Sequence, residues 1–209
     1  YIYTWHWFWD TSTTEFGNNG VYRMDAARWA MNINTHPVEV HCTGGKYGRD
    51  DDQEIPNILT ATYKYADGVI IQNEVRSLSA NPEGINGQGR CFIYSDIGWM
   101  ELFNGFRTYF GPNNEPGPSM SDDDIPEEEK SNIWQNFIDC VRTRRMEDLE
   151  CDIAEGHMST VLGHLGVVSY RTGRKLHFNP ATESFINDEE ANSYLTRNYR
   201  KPYSMPEKV

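Results

Sequence analysis

Hydrophobic and polar positions alternate with a period of two near the start of the chain, where "WHWFWD" at 5–10 sets Trp5, Trp7 and Trp9 against His6, Phe8 and Asp10. That alternation predicts a strand with one indole face and one mixed face. From residue 18 the period changes. Met24, Ala27 and Met31 recur near helical spacing, so residues 18–31 read as a helix with Asn18 or Asn19 as its N-cap, in a region closed by Pro37. Three β-like stretches follow: "PVEVHCTGG" at 37–45, "ILTATYKYA" at 58–66 and "GVIIQNEVRS" at 68–77. The last two flank Asp67-Gly68, a strong hairpin signal. "RCFIYSD" and "WMELF" flank Ile97-Gly98 and predict another strand pair.

Residues 111–126, "GPNNEPGPSMSDDDIP", carry four prolines and read as an exposed, flexible loop. "EEEKSNIWQNFIDCVRTRR" at 127–145 reads as a helix with acids at its positive end and arginines at its negative end. Its expected buried stripe is Ile133, Phe137 and Val141. Residues 152–173 predict a second helix ending at Gly173, and 187–200 a shorter third from an Asn or Asp cap. Strands clustered in the middle with helices before and after imply an α+β fold: an open, mostly antiparallel β-sheet with helices packed on one face. The other face is then available for oligomerisation through a second subunit.

At 209 residues the chain is long enough to bury a substantial core and is expected to form one domain, 1–209. A formal net charge of −12 repels phosphate backbones and argues against nucleic acid as a partner. No apolar run approaches the roughly 20 residues needed to span a bilayer, so no membrane partner is expected. The expected partners are a neutral or small polar molecule and further copies of the protein. The abrupt start at Tyr1, inside an aromatic run, reads as a fragment of a longer protein. Cys42, Cys91, Cys140 and Cys151 are widely spaced without a CxxC pair, which fits reduced thiols rather than a disulfide framework or a zinc site.

Few motifs carry chemistry. "GINGQGR" at 84–90 precedes strand-like residues rather than a helix, so it reads as a turn and not a dinucleotide fingerprint. The acids of "RDDDQE" at 49–54 are contiguous, unlike the alternating ligands of a calcium loop, and read as a solvated loop. His157 and His164 lie seven apart on a helix, about 10.5 Å along one face, too far to share an ion; one of them is free to line a cleft. The indoles of residues 5–9 serve either the core or a sugar pocket. Within "GNNGVYRMD" at 17–25, Tyr22, Asp25 and Trp29 fall on one helix face. A tyrosine near a helix N-terminus suits proton exchange with a substrate hydroxyl, while the plainer reading is a packed Tyr with Asp25 paired to Arg23 or Arg28.

These residues carry a resemblance. "WHWFWDTSTTEFGNNGVYRMDAARWAM", "GGKYGRDDDQEIPN" and the segment from "DIAEGHMSTVLGHLG" to "NYRKPY" resemble the C-terminal domain of the Gfo/Idh/MocA family of NAD(P)-dependent oxidoreductases. The likeness is specific in the first 55 and last 70 residues, and slight over 104–130. It implies a parent enzyme whose N-terminal Rossmann domain binds NAD or NADP and supplies a lysine from a Glu-Lys-Pro motif; neither stands in this chain. It implies an open antiparallel sheet that supplies substrate contacts and joins another subunit as a dimer or tetramer. The family's Asp-x-x-x-His followed by Asp falls here on Asn18, Tyr22 and Asp25, two of which depart from the common pattern. Tyrosine at the His position is known in the glucose–fructose oxidoreductase branch. Asn18 can orient a hydroxyl but cannot act as a base.

The implied function is the substrate-binding and oligomerisation domain of an oxidoreductase acting on a sugar, cyclitol or related polyol. Tyr22 and Asn18 are its catalytic candidates; Asp25, Arg23, Trp5 and His157 are its substrate-binding candidates. The chain alone is expected to be inactive and to bind neither cofactor nor metal. The alternatives are an NAD-dependent glycosidase of the same family and a non-catalytic dimerisation or sugar-binding module.

Overall fold

The computed structural model describes residues 4–77, 90–197 and 199–204, so the turn expected at 84–89 lies outside them. Alternation builds the first three strands, β1 (Glu39–Gly45), β2 (Ile58–Lys64) and β3 (Ile70–Arg76). Val40, Cys42, Leu59, Ala61, Tyr63 and Ile71 turn to the core, while His41, Thr43, Thr62, Gln72 and Glu74 face the other way. All three pair antiparallel, with Cys42 opposite Ala61 and Ala61 opposite Asn73. Gly68 takes φ 94° in the β2–β3 turn, and the Asp67 carboxylate accepts the Val69 N–H at 3.0 Å, as the hairpin signal predicts.

Two short strands that the sequence does not announce, β8 (Leu176–Asn179) and β9 (Ser184–Phe185), complete an antiparallel sheet of order β3-β2-β1-β8-β9. The remaining strands form a second sheet, the meander β4 (Cys91–Tyr94), β5 (Gly98–Leu102), β6 (Gly105–Phe110) and β7 (Glu115–Ser121). The Ile97-Gly98 turn joins β4 to β5 as expected. The proline-rich loop does not hold as a loop, because Pro116 and Pro118 lie within β7. As the last strand of its sheet, β7 keeps one edge out of the ladder, the place where a residue without an N–H is tolerated.

The long helix α3 (Ile153–Thr172) matches its sequence signals. The Asp152 carboxylate accepts the Ala154 and Glu155 N–H groups, and Gly173 ends the helix at φ 67°. It lies across β1 and β2, so Leu162, Leu165 and Val168 meet the inner face of the sheet. Helix α1 (Val21–Ala30) packs on α3 in turn. The helices thus cover one face of the first sheet and leave the other open. Two further helices, α2 (Ile133–Thr143) and α4 (Glu189–Ser193), are shorter than the segments that suggested them.

Three expectations fail locally. Residues 5–10 are not a strand: Thr4–Trp7 form a 3-10 turn, and the Phe8, Thr11 and Ser12 amides bond to carbonyls of Trp5 and Phe8. An aromatic alternation becomes a strand only where a neighbouring edge takes those amides. The helix at 18–31 starts earlier, at Thr14, and passes through a π-helical turn, Phe16–Gly20, before α1. Asn18 and Asn19 therefore lie inside a helix and cap nothing. On α2, Ile133, Phe137 and Val141 line up as periodicity demands, but all three are exposed and only Cys140 is buried.

Candidate functional site

The π-helical turn is the local event from which the site is built. Ser12 Oγ accepts the Thr14 N–H and Thr14 Oγ1 accepts the Phe16 N–H, at 3.0 and 3.3 Å. Thr14 itself holds φ 62°, a costly conformation for a β-branched residue. One extra residue per turn then rotates the following side chains, a distortion that recurs at functional sites. Glu15 stands immediately before this turn, at its N-cap position. One carboxylate oxygen meets His6 Nε2 at 2.6 Å, and the other accepts from Asn19 at 2.9 Å and Asn18 at 3.4 Å. Trp5, half exposed, crosses the His6 ring edge-on at 5.6 Å between centroids. Asn18 and Trp5 are thereby linked through two residues, His6 and Glu15, that sequence reasoning missed; a contact over nine residues has no local periodic signature.

Tyr22 lies one turn beyond Asn18 with 71% of its surface exposed, and its hydroxyl bonds to no group among the described residues. Arg23 and Trp29 are exposed on the same helix. Because the helix begins at Thr14, Tyr22 stands two turns inside it, and the positive end of the dipole does not reach its phenol.

Asp25 is drawn inward instead. It accepts from Ser159 Oγ at 2.5 Å and lies 3.8 Å from Arg28, whose guanidinium is 1% exposed. Arg28 also donates to Ser159 Oγ at 2.6 Å, to Glu155 Oε2 at 3.1 Å and to the Glu155 carbonyl at 3.3 Å. This network pins α1, and the Tyr22 it carries, to α3.

His157 is elsewhere. It projects from the side of α3 opposite Ser159, into an open groove of about 1550 Å³ bounded by residues 9–13, α3, residues 193–197, Tyr199 and Arg200. Arg171 crosses this groove over the rings of Trp9 and Tyr194, at 4.8 and 4.4 Å. Burial, with Arg197 and His157 nearby, holds His164 below the ordinary imidazole range. The structure thus links Asn18 to Trp5 through Glu15 and His6, carries Tyr22 and Arg23 exposed on the helix beyond Asn18, ties Asp25 to α3 through Ser159, and turns His157 to the other side of α3.

His157 has partners of its own: its Nε2 lies 2.9 and 3.0 Å from the Glu183 carboxylate oxygens, and His36 Nε2 lies 2.9 Å from Oε1. These hydrogen bonds, that from His157 foremost, hold Glu183 below the ordinary carboxylate range. The pair His157 and His164 shares no ion-binding geometry, but His36, His157 and Glu183 have ligand atoms within 4.8 Å of one another, a grouping no sequence motif indicated. The four cysteines are unpaired, and burial pushes the Cys42 thiol up to about 12.

Comparison with known proteins now bears on this arrangement. No curated protein sequence matches the chain. Among solved structures, the WlbA dehydrogenase of Bordetella pertussis, in complex with NADH and UDP-GlcNAcA, superposes with a TM-score of 0.54 at 18% identity over 84% of this chain and 49% of that one. An aldose-aldose oxidoreductase of Caulobacter crescentus, complexed with glycerol, gives 0.53 at 18% over 76% and 46%. A UDP-N-acetylglucosamine 3-dehydrogenase of Acidithiobacillus ferrooxidans gives 0.51 at 14% over 73% and 46%. The chain spans about half the length of each, and at these identities the likeness establishes the fold. The profile of the "Oxidoreductase family, C-terminal alpha/beta domain" matches residues 2–205, nearly the whole chain, and the protein belongs to that Gfo/Idh/MocA family.

Proposed function

We propose that residues 1–209 serve as the substrate-binding and oligomerisation domain of an NAD(P)-dependent oxidoreductase acting on a sugar, cyclitol or related polyol. The observation that carries this reading is the exposed, unpartnered phenol of Tyr22, one turn from the Asn18 amide on a helix held rigidly by Arg28. Tyr22 Oη gives or takes the proton of a substrate hydroxyl, the role of a general acid or base. Asn18, steadied by Glu15, orients a neighbouring hydroxyl, and Arg23 and Trp5 offer a charged donor and an indole face to the same ligand. Asp25 acts through Ser159 and Arg28 as a positioning residue. Two of the similar structures, both WlbA dehydrogenases, hold NADH together with a nucleotide sugar, which supports the substrate class.

The cofactor belongs to another part of the parent enzyme. A dinucleotide diphosphate needs a free helix N-terminus or a glycine-rich turn. Among the described residues, the N-termini of α2, α3 and α4 are filled by the side chains of Asn132, Asp152 and Asp188, two of them anionic. Those three N-termini do not fit the diphosphate, and the redox step is assigned to the nicotinamide domain that family membership implies. The open face of the first sheet, with His41, Thr43, Thr62, Gln72 and Glu74, is the proposed surface for a second subunit.

The test is Tyr22→Phe in the full-length enzyme. Loss of a proton-transfer group lowers kcat by about 10²–10⁴-fold with KM little changed. Turnover equal to that of the parent would remove Tyr22 from the mechanism.

A further inference from the structure

We propose that His36, His157 and Glu183 form a binding site for one divalent transition-metal cation of the zinc class, with an open position facing the groove. The proposal stands apart from the substrate reading, since none of its residues touches Asn18 or Tyr22.

Three elements that are remote in sequence converge to make the site. His36 precedes β1, and the adjoining residue pair is locked to the sheet: the Val38 N–H donates to the Lys64 carbonyl at 2.8 Å and the Phe178 N–H donates to the Val38 carbonyl at 2.9 Å. The His36 ring is buried at 3% exposure and crosses Phe178 edge-on at 5.9 Å. His157 comes from the second turn of α3, its ring 5.8 Å from that of His36 at 82°. Glu183 comes from the β8–β9 turn with φ 47°, a left-handed conformation unfavourable for a side chain of this kind. That turn is stiffened by the Asn179 carboxamide oxygen accepting the Ala181 N–H at 3.0 Å and by a 2.7 Å bond between the Thr182 and Ser184 hydroxyls. The turn thus holds the Glu183 backbone in an uncommon conformation that presents its carboxylate to two imidazoles.

The chemistry of the donors selects the ion. Two imidazole nitrogens and one carboxylate suit zinc, cobalt or nickel, whereas calcium and magnesium prefer oxygen alone. Ligand atoms about 2.1 Å from a tetrahedral ion stand about 3.4 Å apart. Here the nitrogen-to-oxygen separations are already 2.9–3.0 Å, so the site opens by about half an ångström per edge. In the metal-free form each Nε2–H donates to the Glu183 carboxylate; to ligate, each neutral imidazole moves that proton through solvent to Nδ1 and gives its Nε2 lone pair to the ion. His36 Nδ1 is buried without a partner, so the outer shell that normally strengthens such ligands is missing on that side. The site is therefore weaker than one with a complete outer shell. His157 and Glu183 both line the groove, so the fourth position is open to water or to an oxygen donor of a small ligand.

Tag-free purified protein, stripped with EDTA, is titrated with zinc chloride by calorimetry and with cobalt chloride by visible absorption. One equivalent of zinc binds, and cobalt gives the intense bands of a tetrahedral site. His157→Gln, at a half-exposed position, and Glu183→Gln each weaken binding about a hundredfold or more. His164→Gln, on the same side of α3 but outside the cluster, leaves it unchanged. Circular dichroism checks the fold of each variant, and should Glu183→Gln unfold, His157→Gln decides alone. Absence of saturable binding, or binding that survives His157→Gln, overturns the proposal. Neither readout depends on enzymatic turnover, so the outcome is independent of the Tyr22 test.

Discussion

Two glycines of α3 meet opposite surroundings, and the same substitution at each should move stability in opposite directions. Glycine to alanine within a helix gains about 0.5–1 kcal/mol in conformational entropy and propensity. At Gly156 an added methyl group meets nothing within 4 Å, so Gly156→Ala keeps that gain. At Gly166 the methyl would lie 2.6 Å from Tyr63 Oη and 3.1 Å from two Phe16 ring carbons. Tyr63 and Phe16 are both fully buried, one in β2 and one in the π-helical turn, so neither has solvent to move into. Overpacking of this kind costs about 1–3 kcal/mol, leaving Gly166→Ala destabilised by about 0.5–2 kcal/mol after the propensity gain. For a chain of this size that corresponds to a rise of about 1–4 °C at Gly156 and a fall of about 1–8 °C at Gly166. Urea unfolding, with the slope checked for constancy, measures both. A Gly166→Ala protein as stable as the parent would refute the close approach of Phe16 and Tyr63 to α3, and with it the docking of the site-bearing turn.

Arg28→Met removes a buried guanidinium from between Asp25, Glu155 and Ser159. Breaking a buried pair costs about 3–5 kcal/mol, but both acids keep about two-fifths of their surface in water, so about 1.5–3 kcal/mol is expected in urea unfolding. No loss would mean that α1 is held by apolar contacts alone. Asp188 receives two hydrogen bonds from Arg174 Nη2, one from Arg174 Nε and one from the Ala191 N–H, and the Arg174 contact holds its carboxyl below the ordinary 3.8. Its folded value is depressed, so its contribution is present above that ordinary value and fades as pH falls through the lower one. Asp188→Asn should therefore unfold more easily than the parent at pH 7, and the gap should close as the pH falls below the ordinary 3.8; a gap that persists in acid would refute the linkage.

How much of this was legible in the chain depends on the distance over which each cause acts. The Asp67-Gly68 hairpin and the Gly173 terminus are decided within four residues, and sequence placed both correctly. Residues 5–10 have the same period-two alternation as β1, yet no sheet edge receives them, and whether an edge is free is decided by the whole topology. Pro116 and Pro118 signal a loop when read locally and an edge strand once β6 is present. Asn18 and Asn19 have the composition of a cap, but Thr14 and Ser12 supply the capping groups four residues earlier, so the asparagines turn back to Glu15 instead. The apolar spacing of α2 was read correctly and its burial was not, since periodicity shows that a helix has an apolar face without showing what meets it. His36 and Glu183 lie 147 residues apart, and no window of sequence contains both.

α3 explains why the candidate residues divide as they do. Its Glu155, Ser159, Gly163 and Gly166 receive α1 and Phe16, while His157, Thr160, His164 and Arg171 look into the groove on the far side. A helix with its side chains is about 10–12 Å across, wider than a single sugar ring. A ligand held by Tyr22 therefore reaches His157 only by wrapping around α3. The family resemblance grouped the two in one substrate site; the fold puts them on opposite sides of α3. The Tyr22 side has an exposed phenol on α1 and an amide, Asn18, that is bonded to the Glu15 carboxylate. The His157 side has two imidazoles, a carboxylate and an open groove, which is the donor set for a cation rather than for a hydride.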